Sequence, residues 1–184
     1  RQMCIRDRNT ALLAQMVIRY EDGTEELFVT DESWSGADAP VVFAEIYDGE
    51  IYDGAKEIKG WSEAGCTAGQ WKPVRKLDYD FSVLTGQGSG KVSLMDEVKP
   101  KEIFETPEGD LVIDFGQNMS ALIQVTATGK KGDVIRLDCF EVLDSKGNVY
   151  LDNLRGAKES LQYTFGEDGT ITYRPSFTFM GFRY

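Results

Sequence analysis

Histidine is absent from the 184-residue sequence. Its absence excludes Ser-His-Asp and Cys-His nucleophilic catalysis within this chain, because both need an imidazole as the general base. It also excludes zinc sites that use histidine ligands. The three cysteines, Cys4, Cys66 and Cys139, lack CxxC or other metal-ligand spacing. An odd and sparse set of this kind does not indicate a disulfide framework.

The sequence also lacks long apolar runs and an excess of basic residues. No apolar run approaches the roughly 20 residues that span a bilayer, and no signal peptide pattern is visible. Lys and Arg number 20 against 31 Asp and Glu, for a formal charge of −11. We therefore expect no nucleic acid and no membrane as partners, because both attract basic patches. A neutral sugar is compatible with this charge, simple solubility also explains it, and nothing indicates a cellular compartment.

Strand patterns dominate what is present. Three pairs of β-rich runs flank short turns that contain Gly and Asp or Lys: 16–20 with 25–30, 121–128 with 134–143, and 161–165 with 171–175. Tight hairpins need positive φ angles, which Gly and Asp tolerate. With 19 glycines and no apolar pattern at helical spacing, the sequence predicts an all-β fold. Strands of this length and spacing are typical of antiparallel β-sandwiches.

The sequence predicts two antiparallel β-sandwich modules in tandem. Residues 85–91 are rich in glycine and poor in apolar residues, as in a flexible connection. We expect the first module over 9–90 and the second over 97–184. Residues 1–8 show no pattern leading into the next strand and are interpreted as a non-native leader. The last run, FTFMGFRY, has no turn or cap after it, so truncation at both ends is expected.

Several segments resemble the non-catalytic modules of bacterial α-L-rhamnosidases. TDESW (30–34) with IYDGEIYD (46–53), and WKPV (71–74), resemble the family's N-terminal jelly-roll module. DFGQNM (114–119) and NLRGA (153–157) resemble the concanavalin-like sandwich that follows it. The order and spacing of these segments make the combination specific.

The chain departs from the family pattern at two places. Ala121 and Leu122 stand where the family often has Gly-Trp, and Met180 stands where it often has His before Gly-Phe-Arg-Tyr. Both departures concern individual side-chain contacts rather than the fold.

The resemblance implies an accessory portion of a glycoside hydrolase that hydrolyses terminal α-L-rhamnosides with inversion. In the family, the two carboxylates that inversion requires lie on a helical (α/α)-barrel. The resemblance therefore implies no catalytic residue here, no cofactor required for the chemistry, and two partners. These partners are L-rhamnose-containing glycans or glycosides and the catalytic domain of the same polypeptide. A free-standing carbohydrate-binding module and a purely structural β-sandwich remain as alternatives.

The segment 46–54 is the first candidate site. Its two Tyr-Asp-Gly units contain Tyr47, Asp48, Glu50 and Tyr52. Aromatic rings stack on sugars, and carboxylates bind hydroxyls or a hard cation such as calcium. The resemblance implies calcium as a candidate ion, since some sugar-binding modules of the family bind L-rhamnose with it. Asp-Gly pairs also make ordinary turns, so a structural role is the alternative.

Three further groups are weighed. Asn153, Arg155 and Lys158 are candidates for a domain interface, because a buried Arg needs paired acceptors that a catalytic barrel supplies. Residues 144–153 lack the EF-hand spacing, so we expect a hairpin loop whose Asp and Asn side chains bond to their own backbone. The tryptophans are more often core residues than sugar platforms in a small sandwich, namely Trp34, Trp61 and Trp71.

Overall fold

The structure is a computed structural model that describes residues 11–86, 88, 90 and 92–184. The proposed leader, residues 1–8, lies outside the described residues. The described residues form two compact units, the first within 1–38 and 61–90 and the second within 39–60 and 91–184. The predicted modules, 9–90 and 97–184, differ from these units because residues 39–60 lie in the second unit.

The first unit contains two pairs of short antiparallel strands. Its strands are β1 (Gln15–Arg19), β2 (Glu25–Val29), β3 (Ser35–Gly36) and β6 (Lys72–Pro73), followed by a 3-10 turn at Phe81–Val83. The predicted hairpin at 16–30 is confirmed, since β1 pairs with β2 from Gln15↔Val29 to Arg19↔Glu25. Gly23 makes its turn with φ +85°, a conformation that favours glycine.

The tryptophans of the first unit are not core residues, contrary to expectation. Trp34 is 43% exposed, Trp61 67% and Trp71 40%. None of the described residues of this unit is buried, because each strand pair has only one layer and encloses no interior. The indole N–H groups of Trp34 and Trp71 instead donate to the backbone oxygens of Val29 and Ala68.

The second unit contains the remaining strands. They are β4 (Val41–Glu45), β5 (Gly49–Asp53), β7 (Glu102–Glu105), β8 (Leu111–Asp114), β9 (Met119–Ala121), β10 (Val125–Gly129), β11 (Val134–Asp138), β12 (Val142–Leu143), β13 (Val149–Tyr150), β14 (Ser160–Thr164), β15 (Gly169–Tyr173) and β16 (Met180–Phe182). Single 3-10 turns lie at Gly54–Lys56 and Asp152–Leu154. Within the described residues, no helix is long and apolar enough to cross a membrane.

A four-stranded sheet in the order β11-β14-β5-β4 joins the two segments of this unit. β5 pairs with β14 in parallel, from Ser160↔Gly49 to Thr164↔Asp53, whereas the other described strand pairs are antiparallel. A Cβ on Gly49 would lie 1.8 Å from the Ser160 backbone oxygen. Glycine at position 49, with φ +101°, is therefore required for β5 to approach β14.

The two later hairpin predictions are correct in their strands and wrong in their pairing. β10 pairs with β15, and β11 pairs with β14, so neither turn joins two paired strands. The turn after β10 and the turn after β14 instead lie side by side, with Gly132 N–H bonding Phe165 O and Phe165 N–H bonding Asp133 O. At each of these turns the chain crosses from one layer of strands to the other. The strands before and after each turn therefore lie on opposite sides of the same core.

The core lies between two groups of strands in the second unit. Tyr52, Ile135, Leu137, Leu161 and Tyr163 approach it from β5, β11 and β14. The opposite group belongs to β9, β10, β15 and β16, with side chains Met119, Ala121, Val125, Ala127, Ile171, Tyr173, Met180 and Phe182. The predicted all-β class is confirmed, and this unit has the two-layer packing of a β-sandwich.

Replacing Leu161 with Ala will destabilise the second unit. Leu161 is 1% exposed at the centre of the core, and truncating such a leucine costs about 2–5 kcal/mol through lost burial and a cavity. Leu111→Ala is the control, since Leu111 is 76% exposed and its truncation will cost less than about 0.5 kcal/mol. Urea unfolding followed by circular dichroism measures both, and equal costs would contradict this core assignment.

Candidate functional site

The predicted sugar site at 46–54 forms the turn between β4 and β5 together with β5 itself. Glu45 Oε2 accepts hydrogen bonds from the backbone N–H groups of Tyr47 and Asp48, at 2.7 and 2.8 Å. This carboxylate holds the turn in place, while the Tyr47 ring is 56% exposed. The turn therefore presents an aromatic ring on a backbone that its own carboxylate fixes.

Glu50 is buried rather than presented to solvent. It is 1% exposed, and its Oε1 accepts from the Tyr173 hydroxyl at 3.0 Å. Its Oε2 accepts from the backbone N–H groups of Ser176 and Phe177, each at 3.0 Å. Both carboxylate oxygens are thus bonded within the protein, and Glu50 ties β5 to the segment after β15.

Asp48 lies beside the predicted interface residues. Its Oδ2 is 3.0 Å from Lys158 Nζ, and the backbone N–H groups of Lys158 and Glu159 both donate to Tyr47 O. Two groups of candidates, separated by more than 100 positions, therefore form one surface. The ammonium group beside Asp48 and the protein donors to Glu50 occupy both carboxylates, and calcium as a possible ion stays an untested prediction.

The loop from 151 to 159 has an unusual backbone. Arg155 and Glu159 have φ angles of 58° and 45°, in a region that costs a non-glycine residue about 1–3 kcal/mol and often marks functional loops. Among the described residues, Glu159 Oε2 is buried and has no hydrogen-bond partner. Burial, and then the nearby Glu141 charge, raise the pKa of Glu159.

Glu141 joins two sequence motifs, and the sequence analysis missed it. Its Oε1 accepts from Asn118 Nδ2 at 3.0 Å and its Oε2 from Asn153 Nδ2 at 2.9 Å. Asn118 belongs to DFGQNM and Asn153 to NLRGA, so one carboxylate links the two segments. The sequence indicated this linking role only through the position of Glu141 between DFGQNM and NLRGA. We call the surface of Asn118, Glu141, Asn153, Arg155 and Lys158 the motif surface.

An ion pair holds the DFGQNM segment to the residue that follows β16. Arg183 Nε and Nη2 donate to the two Asp114 oxygens at 2.9 and 2.8 Å, in the bidentate geometry that favours Arg. The Arg183 hydrogen bonds lower the pKa of Asp114 to about 2, against the effect of burial, and the Gly116 N–H bond adds to the lowering. Phe115 packs edge-on against Phe182 beside this pair.

Metal ligation finds no further support in the geometry. In the described part of the chain, no group of three or more His, Cys, Asp or Glu side chains is arranged to hold a metal ion. The segment after β12 forms a hairpin with β13, as expected, and Asp144 Oδ1 accepts from the backbone N–H groups of Lys146 and Asn148 at 2.8 Å each. The side chains of Asn148 and Asn153 instead bond to Glu108 and Glu141, contrary to the expectation for the Asn residues.

Glu50 and Asp48 will differ in their effect on stability. Glu50→Ala leaves a buried hydroxyl and two backbone N–H groups without an acceptor, at a cost of about 2 kcal/mol or more. Asp48→Ala removes a half-exposed ion pair and will cost less than about 1 kcal/mol. Thermal and urea unfolding measure both variants. A Glu50→Ala variant as stable as Asp48→Ala would show that Glu50 has no structural role.

Acid will destabilise the fold through Asp114. Its folded pKa of about 2 lies below the ordinary value of about 4, so its contribution is complete above about pH 4 and falls away toward pH 2. Asp114→Asn will lower stability at pH 7 and flatten this dependence. Unfolding midpoints between pH 2 and 7 test this, with exposed Asp152→Asn as the control. An unchanged pH profile in Asp114→Asn would contradict the assignment.

Comparison with known proteins matches both halves of the chain. Residues 1–96 match the family described as "Alpha-L-rhamnosidase N-terminal domain", and residues 104–184 match "Bacterial alpha-L-rhamnosidase concanavalin-like domain". A protein named "Alpha-L-rhamnosidase" from Streptomyces avermitilis is 38% identical over 175 residues, which cover 95% of this chain and 17% of that protein.

Solved structures agree with the family match. The native α-L-rhamnosidase of Aspergillus terreus has a TM-score of 0.86 and 34% identity, covering 93% of this chain and 20% of that one. The Streptomyces avermitilis enzyme complexed with L-rhamnose has a TM-score of 0.84 and 37% identity, covering 93% and 17%. The chain spans between 17% and 19% of the length of the curated relatives it matches. The chain therefore belongs to the bacterial α-L-rhamnosidase family and contains its N-terminal and concanavalin-like domains.

Proposed function

We infer that the protein to which these domains belong hydrolyses terminal α-L-rhamnosides with inversion, and that this chain is a non-catalytic portion of it. The observation that carries this inference is the match of both domains, in order, over 95% of the chain to a protein named α-L-rhamnosidase. The partners are L-rhamnose-containing glycans or glycosides and the catalytic domain of the same polypeptide.

The carboxylates of the described residues support a non-catalytic role. Inverting hydrolysis needs a carboxylic acid and a carboxylate about 6.5–9.5 Å apart, with a water molecule between them. Among the described residues, the side chains of Asp114 and Glu50 are buried, and Glu159 is half-buried with one oxygen that has no hydrogen-bond partner. Arg183 binds the first in a bidentate pair, and three protein donors bind the second. Asp114 and Glu50 are therefore committed to the fold, and we assign the hydrolytic step to another domain.

The motif surface is the proposed contact with the catalytic domain. Glu141 fixes Asn153, and Asp48 fixes Lys158, so the amide and ammonium groups are already ordered. Arg155 is exposed, has no ion pair within the described residues, and sits on a backbone with positive φ. Ordered donors of this kind fit a partner surface of carboxylates and carbonyls, which the guanidinium binds in a fixed geometry.

Hydrolysis of p-nitrophenyl α-L-rhamnoside tests the proposal. We expect the product of the complete reading frame that contains this chain to release nitrophenol, and the 184-residue chain alone to release none. Proton NMR of the first turnover will show β-L-rhamnose, because inversion converts the α-linkage to the β-anomer. A complete product that leaves the substrate intact, or that forms the α-anomer first, would overturn the proposal.

The same complete protein tests the interface. Arg155→Ala will lower its thermal midpoint and activity more than Arg136→Ala, a matched exposed arginine in β11 that lies outside the motif surface. Equal effects of the two variants would remove the motif surface from the proposal. Sugar binding without hydrolysis by the complete product would favour a free-standing carbohydrate-binding module instead.

A further inference from the structure

A cleft with three tyrosines opens in the second unit, away from the turn at 46–48. Tyr52 on β5 and Tyr163 on β14 are register partners, and their rings stack with centroids 5.2 Å apart and planes 11° apart. Tyr173 on β15 lies 5.6 Å from the first ring and 5.2 Å from the second. The cleft is open to solvent and has a volume of about 320 Å³. Its lining residues are Tyr52, Glu57, Tyr163, Ile171, Thr172, Tyr173, Arg174 and Ser176.

The cleft is held rigidly by carboxylates. The Tyr52 hydroxyl donates to Glu57 Oε1, and the Tyr173 hydroxyl donates to the buried Glu50. Glu50 also fixes the backbone at Ser176. The lining groups therefore keep their positions without a ligand, and rigid sites of this kind lose little entropy when they bind one.

Several polar groups of the cleft have unused hydrogen-bonding capacity. Among the described residues, the Arg174 guanidinium has no hydrogen bond or ion pair. The Tyr52 hydroxyl bonds to one oxygen of Glu57, and the Glu57 charge also helps to raise the pKa of Lys59. Burial comes first among the causes that raise the pKa of Tyr52 and Tyr173, so these phenols stay neutral. Tyr163 and Tyr173 are only 6% and 5% exposed, so the cleft offers a ligand a donor fork, an acceptor and mainly the half-buried ring of Tyr52.

These groups select a particular class of ligand. A carboxylate and a guanidinium together bind adjacent hydroxyls as acceptor and donor, while tyrosine carbons cover apolar C–H groups. Glu57, Glu50 and the formal charge of −11 oppose an anion. The volume is at the lower end for small-molecule sites. We propose that this cleft is a non-catalytic binding site for one neutral sugar ring.

This proposal goes beyond the proposed hydrolytic function and stands independently of it. Hydrolysis depends on carboxylates outside these domains, whereas the cleft lies entirely within the second unit. Failure of the cleft to bind a sugar would leave the hydrolysis assay unaffected, and an inactive complete protein would leave the titration below unaffected.

Isothermal titration calorimetry tests the cleft. The full 184-residue chain, shown to be folded by circular dichroism, is titrated with L-rhamnose, D-glucose, D-galactose and D-mannose, and with inorganic phosphate as the charged comparison. We expect saturable binding of at least one neutral sugar, in chelator as well as in calcium, and no binding of phosphate. If the chain alone does not fold, the same titrations are performed on the product of the complete reading frame.

Matched variants locate the binding. Arg174→Ala and Glu57→Gln, both at exposed positions, will weaken binding about tenfold or more through lost charged hydrogen bonds, whereas Arg136→Ala will not change it. Asp48→Ala tests the turn at 46–48 as the competing location. Loss of binding in Asp48→Ala or in chelator, with Arg174→Ala and Glu57→Gln unchanged, would overturn the proposal, as would the absence of any sugar binding.

Discussion

The parallel pairing of β5 with β14 is the constraint on which most of the second unit depends. It joins residues 39–60 to a sheet whose other strands follow more than 70 positions later. It is possible only because position 49 has no side chain, since a Cβ there would overlap the backbone of Ser160. Through this pairing Tyr52 meets Tyr163, Glu50 reaches Tyr173, and the turn at Tyr47 meets the loop at Lys158.

Carboxylates in this unit act mainly as connectors between distant segments. Glu50 joins β5 to the chain after β15, and Asp114 joins the DFGQNM segment to Arg183. Glu141 joins Asn118 to Asn153. Glu50 and Asp114 are buried, and a buried carboxylate must be paired or hydrogen-bonded to offset its desolvation. Glu141 is half-exposed and restrains its two segments through hydrogen bonds at the surface.

The fold separates the four residues that the sequence predicted as one sugar site into two different places. The four predicted residues occur within six positions, yet β5 alternates its side chains between two sides of the sheet. Glu50 and Tyr52 therefore belong to the buried side with Tyr173, whereas Tyr47 and Asp48 remain in the turn beside Lys158. Tyr52 is the member of the predicted set that lines the tyrosine cleft.

The sequence by itself determined the all-β class, the hairpin at 16–30 and the family, because alternation, turn residues and motif spacing are local properties. It also named Asn153, Arg155 and Lys158 as candidates for a domain interface, which stays a prediction. Tertiary structure alone decided that β10 and β11 pair with β15 and β14, that Glu141 links two motifs, and that Glu50 is buried. Those outcomes depend on which segments share one core, and a local pattern holds no information about partners that lie from 12 to 127 positions away.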